Sequence, residues 1–235
     1  MDKATKKGLA VIMLILVGLL IVLGLDEWQK KKNKFVYEES LDEVVIIVDE
    51  RQVTLRQLSY YVYYVEREID KQARIYNRED PLDYWNTYFN SGLKAGYISE
   101  MAEDAILGSC VCDMLYEQMA IDNGYELTSE EKEEAGQQAQ KIYAKLSQLQ
   151  KDRTGLTAEI IEQVLQRKAL VVKFASEYFE TVDFSGYSGY REELVSYAGE
   201  YYQKEILPLH KVDYNQNIVT EWKIGRVTTD YEEKY

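Results

Sequence analysis

Proline, histidine and cysteine are scarce here: 235 residues hold two prolines, one histidine and two cysteines. With only Pro81 and Pro208 to interrupt them, helices can run long. Cys110 and Cys112 make no disulfide framework, because residues two apart in a helical stretch point to different faces. A Ser-His-acid or Cys-His site would have to recruit His210, which sits in Leu207-Pro208-Leu209-His210-Lys211, and no nucleophile motif accompanies it. These few ligands do not suffice for a metal site, and no glycine pattern matches a phosphate-cradling loop. The Glu130-Glu131 and Glu133-Glu134 run reads as a solvated helix face. The sequence therefore predicts no catalytic residue, no metal and no cofactor, and the chain does not read as an enzyme.

Charge is absent from one stretch, Gly8 to Leu25. At about 1.5 Å per residue this run gives a helix of roughly 27 Å, close to the hydrocarbon thickness of a bilayer. Lys3, Lys6 and Lys7 precede it, as in an export signal. No Ala occurs between Ala10 and Ala73, so no A-x-A-like cleavage site follows, and retention as a single-pass anchor is expected. Lys30, Lys31, Lys32 and Lys34 flank the other end, so the balance of basic residues does not decide orientation. The basic start favours an inside N-terminus and a domain on the extracytoplasmic side of the cell membrane.

The net charge is −13. Such acidity disfavours nucleic acid and anionic lipid as partners, which need a positive field, and promotes solubility.

Residues 26–43 read as a charged juxtamembrane spacer. Val44 to Val48 is a β-branched run ended by Asp49 and Glu50, predicting a short strand. Thr54 and Gln57 match a capping box that opens a helix, with Leu58, Val62, Val65 and Ile69 on one apolar stripe. Tyr60, Tyr63 and Tyr64 fall away from that stripe. Asn77 to Pro81 reads as a break, followed by Tyr84, Trp85, Tyr88 and Phe89. Ile98, Met101, Ala105, Gly108, Cys112, Leu115 and Met119 form a helical seam that Asn123-Gly124 ends, with Gly108 allowing close approach. Thr128 and Glu131 predict a second capping box and a polar helix to about Lys151, then Thr154-Gly155. Ile161, Leu165, Val172 and Phe179 lie on or near one face of the next helix. Residues 185–189 read as a loop, and Glu192 to Ile206 as a final helix. Ile218 to Thr229 reads as a strand or hairpin able to pair with residues 44–48.

Two segments resemble the SurA- and PrsA-type extracytoplasmic chaperones. Val48-Asp49-Glu50-Arg51-Gln52-Val53-Thr54 is similar to the strand-turn-helix that begins their chaperone domain, with Asp49 and Glu50 where the family has Asn-Gly. Ala120-Ile121-Asp122-Asn123-Gly124-Tyr125-Glu126-Leu127-Thr128-Ser129-Glu130-Glu131 looks like the joint between two of its helices. The resemblance spans roughly residues 44–205. It implies a helical cradle for unfolded exported polypeptides. The parvulin isomerase domain that many members carry needs on the order of a hundred residues. About thirty remain after the last predicted helix, so isomerase activity is not expected.

The expected fold is mainly α: a transmembrane helix at 1–25, the spacer, a multi-helix chaperone-like domain at 44–210, and a C-terminal strand or tail at 211–235, giving a short strand near each end. Tyr60, Tyr63, Tyr64, Tyr84, Trp85, Tyr88 and Phe89 are the candidate client-binding residues, since exposed aromatic patches commonly mark binding sites. The alternative is an adaptor subunit of an envelope or export complex, docked through the helical seam or the terminal strand.

Overall fold

Apolar strand residues and a tight turn start the fold. Val44–Val48 (β1) and Arg51–Thr54 (β2) pair antiparallel, with Val48 opposite Arg51 across Asp49 and Glu50. In this computed structural model, which describes residues 35–90 and 95–231, Asp49 takes a left-handed conformation (φ 54°). Hydrogen bonds hold that uncommon backbone in place. The Asp49 carboxylate accepts from the Lys211 N–H at 2.9 Å and lies 2.9 Å from His210 Nδ1, while its own N–H donates to the Lys211 carbonyl. The turn is thereby tied to Val212–Tyr214 (β5), which pairs antiparallel with β1 and completes a sheet of order β2-β1-β5.

The predicted capping box opens Leu55–Tyr76 (α1): Gln57 N–H donates to Thr54 Oγ1 and Thr54 N–H to Gln57 Oε1. A short helix, Leu82–Trp85 (α2), follows the break at 77–81. Tyr88–Asn90 (β3) and Ala95–Tyr97 (β4) then form a two-stranded hairpin. Ile98–Asp122 (α3) is the central helix, packed against α1, β1 and Ala158–Tyr178 (α6). It buries most of its circumference rather than one seam. Ile98, Cys112 and Leu115 of the predicted seam are buried, but so are Ala102, Ile106, Cys110, Val111 and Met114.

The polar helix opens as expected at the Thr128 capping box but stops at Lys145 (α4, Ser129–Lys145) instead of reaching Lys151. Leu146 turns inward and is buried, and Ser147 caps a separate helix, Gln148–Thr154 (α5), through reciprocal bonds with Gln150. The packing of α4 is along α6. On α6 Ile161 is buried and Phe179 just beyond it too, whereas Val172, assigned to the same face, is exposed.

The predicted final helix, 192–206, is broken. Arg191–Leu194 (α7) stops because the next carbonyl, that of Val195, accepts the Tyr116 hydroxyl at 2.8 Å and is drawn onto α3. The chain resumes as a π-helical turn, Tyr202–Ile206, and a 3-10 turn, Leu207–Leu209. The C-terminal strand is 212–214 and not 218–229. Ile218 and Val219 belong to a short helix, Gln216–Val219 (α8), and an irregular strap follows, with Trp222, Ile224 and Val227 buried. The strap needs no sheet partner, because the buried Glu66 carboxylate of α1 accepts the N–H groups of Gly225, Val227 and Thr228.

From Tyr37 on, the described residues form one compact unit that includes the strap. Tyr37, Ser40 and Leu41, within the expected spacer, are buried in it. The predicted anchor, residues 8–25, lies outside the described residues. Among the described residues no helix is long and apolar enough to cross a membrane.

Candidate functional site

The two apolar stripes read from α1 and α3 do not close completely on each other. Between α1, α2 and α3 they leave a surface cleft of about 340 Å3, walled by Val65, Ile69, Tyr84, Ile98, Met101 and Ala105. Among the described residues, Glu68 and Gln72 of α1 are the charged or amide groups in its lining. Glu68 is engaged outward, accepting from Lys71 and Arg67, which hold its carboxyl below the usual carboxylate range.

Exposed aromatic rings lie on elements that neighbour the cleft in sequence. Tyr84, in its wall, packs against exposed Tyr76 with ring centroids 5.3 Å apart. Ile98, in the opposite wall, directly follows Tyr97, whose ring meets Tyr88 edge-on at 5.5 Å. Tyr88, Phe89 and Tyr97 are all exposed on the β3–β4 hairpin, which is docked by the Ile98 N–H donating to the Thr87 carbonyl. The arrangement offers a largely apolar slot with the Tyr84 ring in its wall and no Lys or Arg among the described residues that line it.

The seven aromatic candidates thus divide. Tyr84 lines the cleft, and Tyr88 and Phe89 are exposed on the hairpin. Tyr60, Tyr63 and Trp85 are buried, which corrects their assignment to an exposed surface. The physical reason is that the first half of α1 is enclosed on several sides, and burial pushes the Tyr60 phenol up to about 12. Trp85 is covered by the strap, its Nε1–H donating to the Tyr231 hydroxyl at 3.2 Å. Tyr64 is exposed but lies on another part of α1, with the Arg67 guanidinium 5.5 Å from its ring. Sequence reasoning missed Tyr76 and Tyr97 on the surface. It also took Val65 and Ile69 as core, although they are only half-buried.

A polar network joins α1, α3 and α6 beneath the surface. Tyr61 and Lys168 both donate to Asp113 Oδ2, at 2.9 and 2.7 Å. Arg167 donates to Glu117 at 2.9 Å, and Arg51 of β2 pairs with the same carboxylate at 3.6 Å while donating to the Met114 carbonyl. Each charge has an opposite partner, as partial burial requires, so the network fixes the helices rather than offering a reactive group. Cys110 and Cys112 are buried thiols. Among the described residues no cluster of His, Cys, Asp and Glu suits a metal ion.

No family model, curated protein or solved structure matches the chain.

Proposed function

We propose that this protein is a membrane-anchored chaperone that holds unfolded exported polypeptides on the extracytoplasmic side, without isomerase activity. The observation that carries the reading is the apolar cleft between α1, α2 and α3, with the Tyr84 ring in its wall and exposed Tyr76 packed against that ring. Its volume falls within the range of roughly 300–1,000 Å3 typical of ligand sites. Unfolded chains display apolar and aromatic side chains, and a slot with almost no polar lining accepts these without demanding a sequence. Aromatic rings such as those of Tyr84 and Tyr76 suit weak, adaptable grip, because they supply contact area at low entropic cost. A net charge of −13 keeps such a surface soluble despite its exposed rings. The resemblance of residues 44–205 to the SurA and PrsA chaperone domain, and the uncharged run at 8–25, are consistent with the same reading.

The test uses the full chain in lipid nanodiscs, mixed near-equimolar with a chemically unfolded, aggregation-prone protein. Light scattering follows aggregation, with empty nanodiscs and an inert acidic protein as controls. Suppression beyond both controls, abolished by Ile69→Lys in the cleft with helicity intact, is the expected result. Absence of suppression across several clients would sink the proposal and turn the search to a single stoichiometric partner, the adaptor reading.

A further inference from the structure

The sheet of order β2-β1-β5 ends at β5 with an open side. Antiparallel pairing alternates the direction of successive backbone groups. The Lys211 carbonyl accepts from the Asp49 N–H, and the Asn215 N–H donates to the Val45 carbonyl, so residues 211 and 215 face β1. Asp213, opposite Ile47 between them, faces β1 by the same alternation. The N–H and C=O groups of Val212 and Tyr214 therefore point away from the sheet, and among the described residues no strand pairs with them. Two donors and two acceptors on an open edge are a template for a further strand.

A cavity of about 330 Å3 adjoins that edge, walled by Tyr214, by Leu107, Gly108 and Val111 of α3, and by Ala198 and Leu207. No residue of β1 or β2 is among its described walls, so it lies on the side of β5 away from β1. The cavity is preformed. A Cβ at Gly108 would collide with the Tyr197 ring, so that ring lies directly on the helix. Gln203 donates from Nε2 to the Tyr197 carbonyl at 2.6 Å, which commits its amide, and Asp104 in the lining also has a partner. Lys211 and Asp213 of the same edge pair with each other at 2.8 Å and cancel in charge. Edge and cavity together suit an extended, uncharged segment that carries a large apolar side chain.

We propose that β5 accepts an extended segment of another polypeptide as a fourth, antiparallel strand, with one large apolar side chain seated in the cavity. The residue opposite Tyr214 exchanges both backbone bonds with it and shares its face, so that its side chain points toward α3. Main-chain bonds grip without regard to sequence, and the cavity selects the one side chain. This surface shares no lining residue with the apolar cleft, so the inference goes beyond the chaperone reading and does not rest on it.

The experiment is fluorescence anisotropy of a labelled seven-residue peptide titrated with the full chain in lipid nanodiscs. The peptide has blocked ends, leucine at its centre, valines two residues either side of it, and threonine elsewhere. N-methyl groups on the leucine and valines remove the donors that face β5, and are expected to weaken binding about tenfold or more. N-methyl groups on the two threonines beside the leucine lie on the opposite edge and leave binding unchanged. Alanine in place of the leucine weakens binding about tenfold, and Ala198→Trp, at an exposed position of the cavity wall, removes that difference. Val212→Pro takes away one outward N–H without touching a bond to β1, and is expected to abolish binding. Ile69→Lys in the cleft leaves peptide binding intact, so the two sites fail separately. No binding up to about 1 mM, or equal loss with both methylated forms, overturns the proposal. So does a dimer of the native chain that Val212→Pro converts to monomer, which assigns the edge to a second copy.

Discussion

Thr228 gives Glu66 two hydrogen bonds, from its N–H at 2.6 Å and its hydroxyl at 2.5 Å, both to Oε2. Gly225 and Val227 donate their N–H groups to Oε1 at 2.5 and 3.1 Å. One buried carboxylate on α1 thus closes the strap over the helices, 162 residues away in sequence. Glu66→Gln keeps the size but turns an NH2 group toward two of these donors, whichever way the amide is placed. The expected loss is about 1–3 kcal/mol, read as a lower urea midpoint with unchanged slope. An unchanged midpoint would show that the strap is held by its apolar residues alone.

The same carboxyl carries a pH signature. Burial raises its pKa above the usual 4.5, against the pull of its four donors. A raised carboxyl binds its proton more tightly in the folded state. Its contribution to stability is therefore fully present below the unfolded value and is lost as pH rises through the folded one. Across that window, urea midpoints of the native protein should fall relative to those of Glu66→Gln, which has no proton to lose there. Parallel curves for the two proteins would place the titration elsewhere.

Gly225 sits at φ 94° with the Trp85 ring where a Cβ would be. Gly225→Ala combines a strained backbone with a collision inside a buried contact, and the strap must lift or Trp85 must move. Destabilisation of roughly 2 kcal/mol or more is expected in thermal or urea melts. A variant as stable as the native chain would mean that the strap accommodates the methyl group freely.

Aromatic residues that look alike in sequence should separate in experiment. Tyr60 and Tyr63 are 4% and 7% exposed, while Tyr88 and Phe89 are 58% and 48% exposed. Tyr60→Ser should cost about 3 kcal/mol or more, as large-to-small changes in a core do. Tyr88→Ser and Phe89→Ser together should leave the melting midpoint nearly unchanged and weaken suppression of client aggregation. If the hairpin pair leaves holding intact, the hairpin rings contribute nothing to client binding, and the cleft must act without them.

Local signals were the legible ones. The Thr54–Gln57 and Thr128–Glu131 capping boxes are written within four residues, and both helices begin there. The identical device at Ser147–Gln150 escaped notice, because polar helix formers run on both sides and only the inward turn of Leu146 breaks them. Val65 and Ile69 showed which face of α1 meets α3, but a periodicity cannot say that two stripes stop short of closing. The one-stripe reading of α1 also assumed a second face in solvent. Residues from the far end of the chain close over Glu66, and Tyr60 and Tyr63 are core as well. The strap was beyond sequence reading for the same reason: its hydrogen-bond acceptor is a side chain, not a neighbouring strand.

The cysteines give a direct probe of whether α3 stays closed. Cys110 and Cys112 are both buried, and burial pushes the Cys110 thiol up to about 12 and raises that of Cys112 as well. Burial thus keeps both side chains in the thiol form, whereas the thiolate is the reactive species. A thiol reagent should therefore leave the native protein unlabelled over hours and label both residues promptly in urea. Under native conditions the slow labelling should quicken in Glu66→Gln, since loosening the strap lowers the cost of opening the unit. Prompt labelling of the folded native chain would show that α3 is reached by local motion, and would count against the closed packing of α1, α3 and α6.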